Sequence, residues 1–543
     1  MQIPMTRRQV AAAGVAAAAA LGVAGTLGVH PARAAEQDAA GKDEQPVLSE
    51  QADVVVLGAG AAGLAAAATA AEAGARVIVL EAGSFAGGAT IYSGGHMLWL
   101  DEAFNATQER NDEELQKYLD LDPATCGAAA DDAVALKEQV QAYLDDATRT
   151  GRFDSVERVM VDHYLAGTGT DMDGSPVYLD YAMIRAAAET NMDVLGWLQS
   201  GGMAIKDGLY KSHANSPVDG GSSLVEALLN LAETAGAEVR YESRATGLLF
   251  ENGAVVGVRY VGADGVATLD AGRVVVATGG YASNAALAAL YQNIGMGLSA
   301  NCGTTNPPTN RGEGMAMAQR CGAAVRDLQF LTTVLEGYHG GCTIADASKL
   351  IAAQQLVVNA EGVRFMDDSP SGPLKSTMNN AALNAQSDGL SFFVGDTKMV
   401  EALNEAREGW GDDLLERDWV YSGDTIEAAA EAAGLDPAVV SATVSGFNEA
   451  VASGQDSDFG RAEFNGAVEE APFVIAKMET HYHLTFGGLL IDEAARVLDV
   501  SGAPIGGLYA AGDVLCGYEG VTHQSGDCLS VVVHTGIVAG TLA

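Results

Sequence analysis

Gly58, Gly60 and Gly63 stand in the order G-x-G-x-x-G, and the carboxylate of Glu81 closes the apolar run that follows. The first glycine permits a tight turn and the second lets a phosphate come up against the main chain. The third lets a helix pack closely on a strand. A carboxylate ending the next strand can accept hydrogen bonds from ribose hydroxyls. Together these residues have the chemistry to hold a dinucleotide.

The elements that must position them are legible in the same stretch. Val54–Leu57 and Val77–Leu80 read as buried strands, and the alanine-rich segment between them reads as a helix. Its N-terminus would offer free N–H groups and a partial positive charge to a pyrophosphate.

A second glycine-rich segment, AGSFAGGATIYSGGH, follows Glu81, and near the C-terminus Gly507-Leu-Tyr-Ala-Ala-Gly-Asp513 reads as a strand closed by a glycine and an acid. This early and late pairing resembles the FAD-dependent flavoprotein family of fumarate reductases, succinate dehydrogenases and 3-ketosteroid dehydrogenases. The resemblance covers residues 50–543. It implies an α/β fold: a Rossmann-like FAD-binding domain with an inserted α+β capping domain. It also implies non-covalent FAD, contacted by Gly58, Gly60, Ala62, Gly63, Glu81, Ala89, Thr90, Gly94 and Gly95. Ala245, Glu313, Asp513, Cys528 and Leu529 complete that set by motif position.

Arg7 and Arg8, a weakly apolar Ala/Gly run and a small-residue site near Ala34 read as a twin-arginine export signal over residues 1–34. Residues 35–50 read as a polar linker. The FAD-binding domain is expected over 51–331, with helical insertions such as Asp131–Thr148 and Tyr181–Gln199, and again over 483–543. A capping domain is expected over 332–482, where Val357–Phe365 matches the family's core strand pair. The expected location is periplasmic or otherwise extracytoplasmic, with membrane association left open.

The formal charge of −41 argues against nucleic acid and anionic lipid surfaces as partners. The six cysteines show no C-x-x-C or C-x-x-C-H spacing, so no c-type haem is attached and no metal site is expected. Electrons should therefore come from an external donor, a membrane or extracytoplasmic redox protein.

The substrate side departs from the fumarate reductases. Where the family places a substrate-binding histidine stands Val334, and where it places its proton-donating arginine stands Gly372, with Lys375 nearby. Of the family's paired histidines His483 remains and the second is Leu484, while the late arginine is His523. A dicarboxylate left without charged partners would be held poorly. The expectation is an FAD oxidoreductase that reduces the C=C bond of an unsaturated, carbonyl-conjugated small molecule other than fumarate, steroid-like or aryl-acrylate. A ketosteroid-type dehydrogenase inserting a double bond, or a degenerate flavoprotein carrying electrons or ligand, are the alternatives. His523, His483 and Tyr518 are the candidate catalytic residues, followed by Tyr338, His339 and Lys375.

Overall fold

Runs that are apolar at every position need cover on both faces, and the fold supplies it. The computed structural model describes residues 49–170, 174–208, 213–292, 298, 300–342, 344–372, 380–523 and 526–543. The export signal over 1–34, nearly all of the 35–50 linker and Lys375 lie outside the described residues. No helix among the described residues is long and apolar enough to cross a membrane.

The main sheet is built around strand β1 (Ser49–Leu57). It pairs in parallel with β2 (Val77–Leu80) on one side and with β3 (Gly265–Val276) on the other. Beyond β3 lies the late strand β6 (Pro504–Ala510), also parallel. Helix α1 (Ala61–Glu72) joins β1 to β2 and lies between helices α2 (Gly221–Ala235) and α3 (Cys528–Leu542). The alanines of α1 keep that packing close. A side chain at Gly536 or Gly540 of α3 would overlap the carbonyl of Ala62 or Ala66.

A second, antiparallel sheet contains β4 (Leu331–Gly337) and the long β5 (Phe473–Thr485), with strands Leu356–Val358, Leu390–Gly395 and Val420–Gly423. β4 and β5 pair Val334 with His481 and Glu336 with Glu479, with a register shift between Thr332 and Thr333.

Three local expectations need correction. β1 starts at Ser49 rather than Val54, because the long β3 offers ladder partners to residues 49–52 whatever their side chains. The stretch Tyr181–Gln199 is two helices, Tyr181–Glu189 and Asn191–Ser200. They part at Thr190, whose hydroxyl bonds back to Ala186 O at 2.7 Å. Val357–Phe365 is not a strand pair: Leu356–Val358 pairs with Phe392–Val394 instead. The side chain of Asn359 captures the N–H groups of Glu361 and Val363 and turns the chain away from a ladder.

Candidate active site

The parallel register brings the carboxyl ends of four strands level, where sheets of this kind take their ligands. Leu57 is opposite Leu80 and Val276, and Val276 is opposite Ala510. Gly58, Glu81, Thr278 and Asp513 therefore emerge along one edge, into a cleft of about 1350 Å³. That exceeds the roughly 300–1,000 Å³ of an ordinary small-molecule pocket, leaving room for a dinucleotide and a second small molecule.

Of the residues expected at the cofactor, Gly58, Gly60, Ala62, Glu81, Ala89, Thr90, Gly94, Gly95, Ala245, Glu313, Asp513, Cys528 and Leu529 line this cleft. Gly63 does not: a side chain there would overlap the Gly58 carbonyl, so it serves the packing of α1 on the turn. Gly58 has φ +101°, and a Cβ would stand 2.5 Å from Ala277 O. A Cβ on Gly60 would meet nothing nearer than 3.8 Å, which leaves the main chain open towards the cleft at the N-cap of α1.

Glu81 accepts the Ala59 N–H at 2.8 Å and the Gly83 N–H at 2.6 Å, so the same carboxylate that can meet a ribose also braces the glycine turn. Thr278 Oγ1 is buried and has no hydrogen-bond partner among the described residues. Thr278 lines the cleft beside Gly279. An open glycine N-cap, a carboxylate at the second strand and an orphaned hydroxyl fit the ribose, pyrophosphate and ribityl groups of FAD.

The far wall carries the histidines. His483 comes from β5 and His523 from the loop before α3, and both line the cleft. Their ring centroids are 6.0 Å apart at 81°. His523 Nδ1 is 2.9 Å from Glu519 Oε1, and that carboxylate is fully buried. Burial opposes the charged ring, but Glu519, then Asp513 and Asp527, outweigh it and raise the His523 pKa. His483 shares a hydrogen bond of 2.6 Å with Thr305 Oγ1. Desolvation, reinforced by the His523 charge, lowers its pKa to about 3, so it is neutral. One ring can give a proton while its neighbour offers only a neutral hydrogen bond.

Tyr518 is placed differently from the expectation. It does not line the cleft; it is buried and its hydroxyl donates to Asp513 Oδ1 at 3.0 Å. It therefore braces a lining acid from behind. Tyr338 and His339 also stand outside the lining, the two rings stacked at 3.8 Å, with His339 exposed. Val334 is buried in β4, Leu484 lines the cleft, and Gly372 sits in a turn against Ser369.

Reasoning from sequence missed Glu519, Glu336, Glu479 and His481. The signal for His481 was its spacing of two from Glu479, which on a regular strand shares a face. Glu519 is four residues from His523, a spacing that carries no information in a loop.

The charge of the lining is lopsided. Glu81, Asp207, Glu313, Glu336, Asp346 and Asp513 face Lys206 and Arg244, and Arg244 is paired with Glu313. Apart from histidine, the described lining offers a dianionic substrate little that is positive.

Residues 53–529 match the family described as FAD binding domain. The chain is 28% identical over 520 residues to the NADH:acrylate oxidoreductase of Vibrio harveyi, covering 91% of this chain and 50% of that protein. It is 28% identical over 522 residues to the urocanate reductase of Eggerthella lenta, covering 91% of this chain and 75% of that one. The chain thus spans half the length of the Vibrio relative. Among solved structures, the open conformation of a flavocytochrome c3 fumarate reductase superposes with a TM-score of 0.71 at 27% identity. That match covers 95% of this chain and 81% of that one.

Proposed function

The chain belongs to the FAD binding domain family and is an FAD-dependent oxidoreductase, and from that premise we propose that it reduces the C=C bond of a small carbonyl-conjugated molecule that is not a dicarboxylate. One observation carries this reading: His523, its pKa raised by Glu519, stands beside a neutral His483 in a cleft otherwise rich in carboxylates. Acrylate and urocanate, for which two relatives are named, each carry a double bond conjugated to one carboxylate. A mono-anion or a neutral carbonyl asks for a single cationic partner, and His523 can be that partner.

FAD, bound non-covalently, supplies the hydride when reduced by a separate electron donor. The chain's own residues do the rest. His523 binds the substrate carbonyl oxygen, and its charge stabilises the enolate that forms there. His483, neutral and fixed by Thr305, orients the same substrate by hydrogen bonding. The surrounding carboxylates reject a dianion such as fumarate.

The test is reoxidation of the reduced flavin by a panel of acrylate, urocanate, enones and fumarate. Rapid oxidation by one of the first three classes and none by fumarate is expected; succinate formation from fumarate overturns the reading. The reaction is also proposed to run outside the cytoplasm. Replacing Arg7 and Arg8 together by lysine should leave unprocessed precursor inside the cell, and normal maturation would exclude the twin-arginine route.

A further inference from the structure

Acid and imidazole side chains alternate from the protein surface to the cleft. Glu479 and His481 are two residues apart on β5, in regular register with Glu336 and Val334 of β4, and share one face of the strand. His481 is buried; its Nε2 is 2.9 Å from Glu479 Oε2 and its Nδ1 is 3.1 Å from Glu336 Oε2. Glu336 comes from the neighbouring strand β4 and lines the cleft. At the other end, Glu479 Oε2 accepts the His339 backbone N–H at 3.1 Å and stands 3.8 Å from His339 Nδ1. The His339 ring is 74% exposed. His339 holds a left-handed φ of +54°, rare for a residue other than glycine, and in this conformation its N–H reaches the buried carboxylate.

We infer that His339, Glu479, His481 and Glu336 form a relay that carries the proton consumed in each reduction from solvent to the cleft. The inference rests on the C=C-reducing reading. Reducing the bond places a hydride on one carbon and a proton on the other. The hydride leaves reduced flavin, which ends oxidised and is recharged with two electrons by the separate donor. The proton comes from water. The His481 cation gives its Nδ1 proton to Glu336 and keeps the proton on Nε2. A turn of the neutral ring then presents the bare Nδ1 to Glu479, which reprotonates it and is refilled from water at His339. The cation turns back to its starting orientation. Glu336 releases its proton into the cleft, where His483, two residues from His481, stands beside His523. Each turnover moves one proton inward and leaves no charge behind.

The protonation state suits this role. Burial disfavours a charged His481, but the carboxylates on both sides raise its pKa to about 9, so it is loaded at neutral pH. The group that resemblance would assign as proton donor is absent, since Gly372 occupies its place.

The experiment uses dithionite-reduced holoenzyme mixed with acrylate, urocanate or 2-cyclohexenone, in H2O and D2O. Glu336→Gln and Glu479→Gln should each slow reoxidation by the alkene by roughly 10²-fold, the scale of a lost proton donor. Their solvent isotope effect should rise, and added formate or imidazole should restore part of the rate. Reoxidation by ferricyanide, which puts no proton into a substrate, should match the wild type and show the holoenzyme intact. The surface variant His339→Asn, which gives up only an exposed ring and its stack on Tyr338, should slow alkene turnover with the same rise in isotope effect. If no alkene oxidises the wild-type flavin, the reading of function falls and the relay with it. If alkenes oxidise the wild type and both glutamine variants keep its rate and isotope effect, the relay alone is wrong. Slowing without isotope effect or rescue likewise overturns it, because that is a structural loss.

Discussion

His483 and His523 stand nearly perpendicular across 6.0 Å, and their pKa values move in opposite directions, burial and the His523 charge lowering that of His483 while Glu519 raises that of His523. Behind His523 is the buried carboxylate of Glu519; beside His483 is the neutral hydroxyl of Thr305. The same side chain type can therefore supply a cation and a neutral donor within one site. Reversing the two environments would reverse the roles.

His523→Ala should leave FAD binding and flavin reduction intact while slowing reoxidation by substrate by roughly 10²-fold or more, the usual scale for a lost acid or oxyanion donor. His523→Gln should recover part of the rate, because on this reading the role is hydrogen bonding to the carbonyl. Stopped-flow absorbance of the flavin reads both. Wild-type reoxidation in the alanine variant would remove His523 from the mechanism.

Glu519→Gln should lower the His523 pKa, since Glu519 is the largest influence opposing desolvation. The charged ring would then be lost at lower pH, and the basic limb of the pH–rate profile should move towards acid. Asp513 and Asp527 remain and limit the move. A profile that superposes on the wild type would show that His523 charge does not govern the rate.

Gly60→Val should abolish flavin retention, because a side chain would fill the open approach to the main chain at the α1 N-cap. In the wild type, acid precipitation should leave the flavin in the supernatant. Yellow Gly60→Val protein at full occupancy would contradict the placement of the cofactor.

Thr278→Ala separates folding from cofactor binding. The buried Oγ1 has no partner among the described residues, so removing it should leave the Tm of the apoprotein unchanged or raised. FAD affinity should fall by about fivefold, corresponding to one hydrogen bond of about 1 kcal/mol. Titration of apoprotein with FAD measures it; unchanged affinity would assign the hydroxyl to no cofactor contact.

His481 ties stability to pH. Its folded pKa of about 9 lies above the ordinary value of 6.5, so the stability it contributes is fully present below pH 6.5 and is lost as pH rises through 9. The gap in Tm between wild type and His481→Asn should be widest near pH 6 and close towards pH 10. A gap that stays constant across that range would show that the ring is not charged in the folded protein.

The cofactor side was legible in the sequence because it is encoded locally. Gly58, Gly60, Gly63 and Glu81 lie within one strand–helix–strand unit, where spacing alone sets which backbone turns and which carboxylate faces the loop. The late Gly512-Asp513 was legible for the same reason, as the end of an apolar strand. Protonation and aim were decided only by the tertiary structure. Glu519 reaches His523 through an irregular loop, Tyr518 turns away to Asp513, and His481 acquires its two carboxylates through the register of β4 on β5. A pKa is set by burial and by charges a few ångströms away through space, and the sequence carries no record of which distant residues those will be.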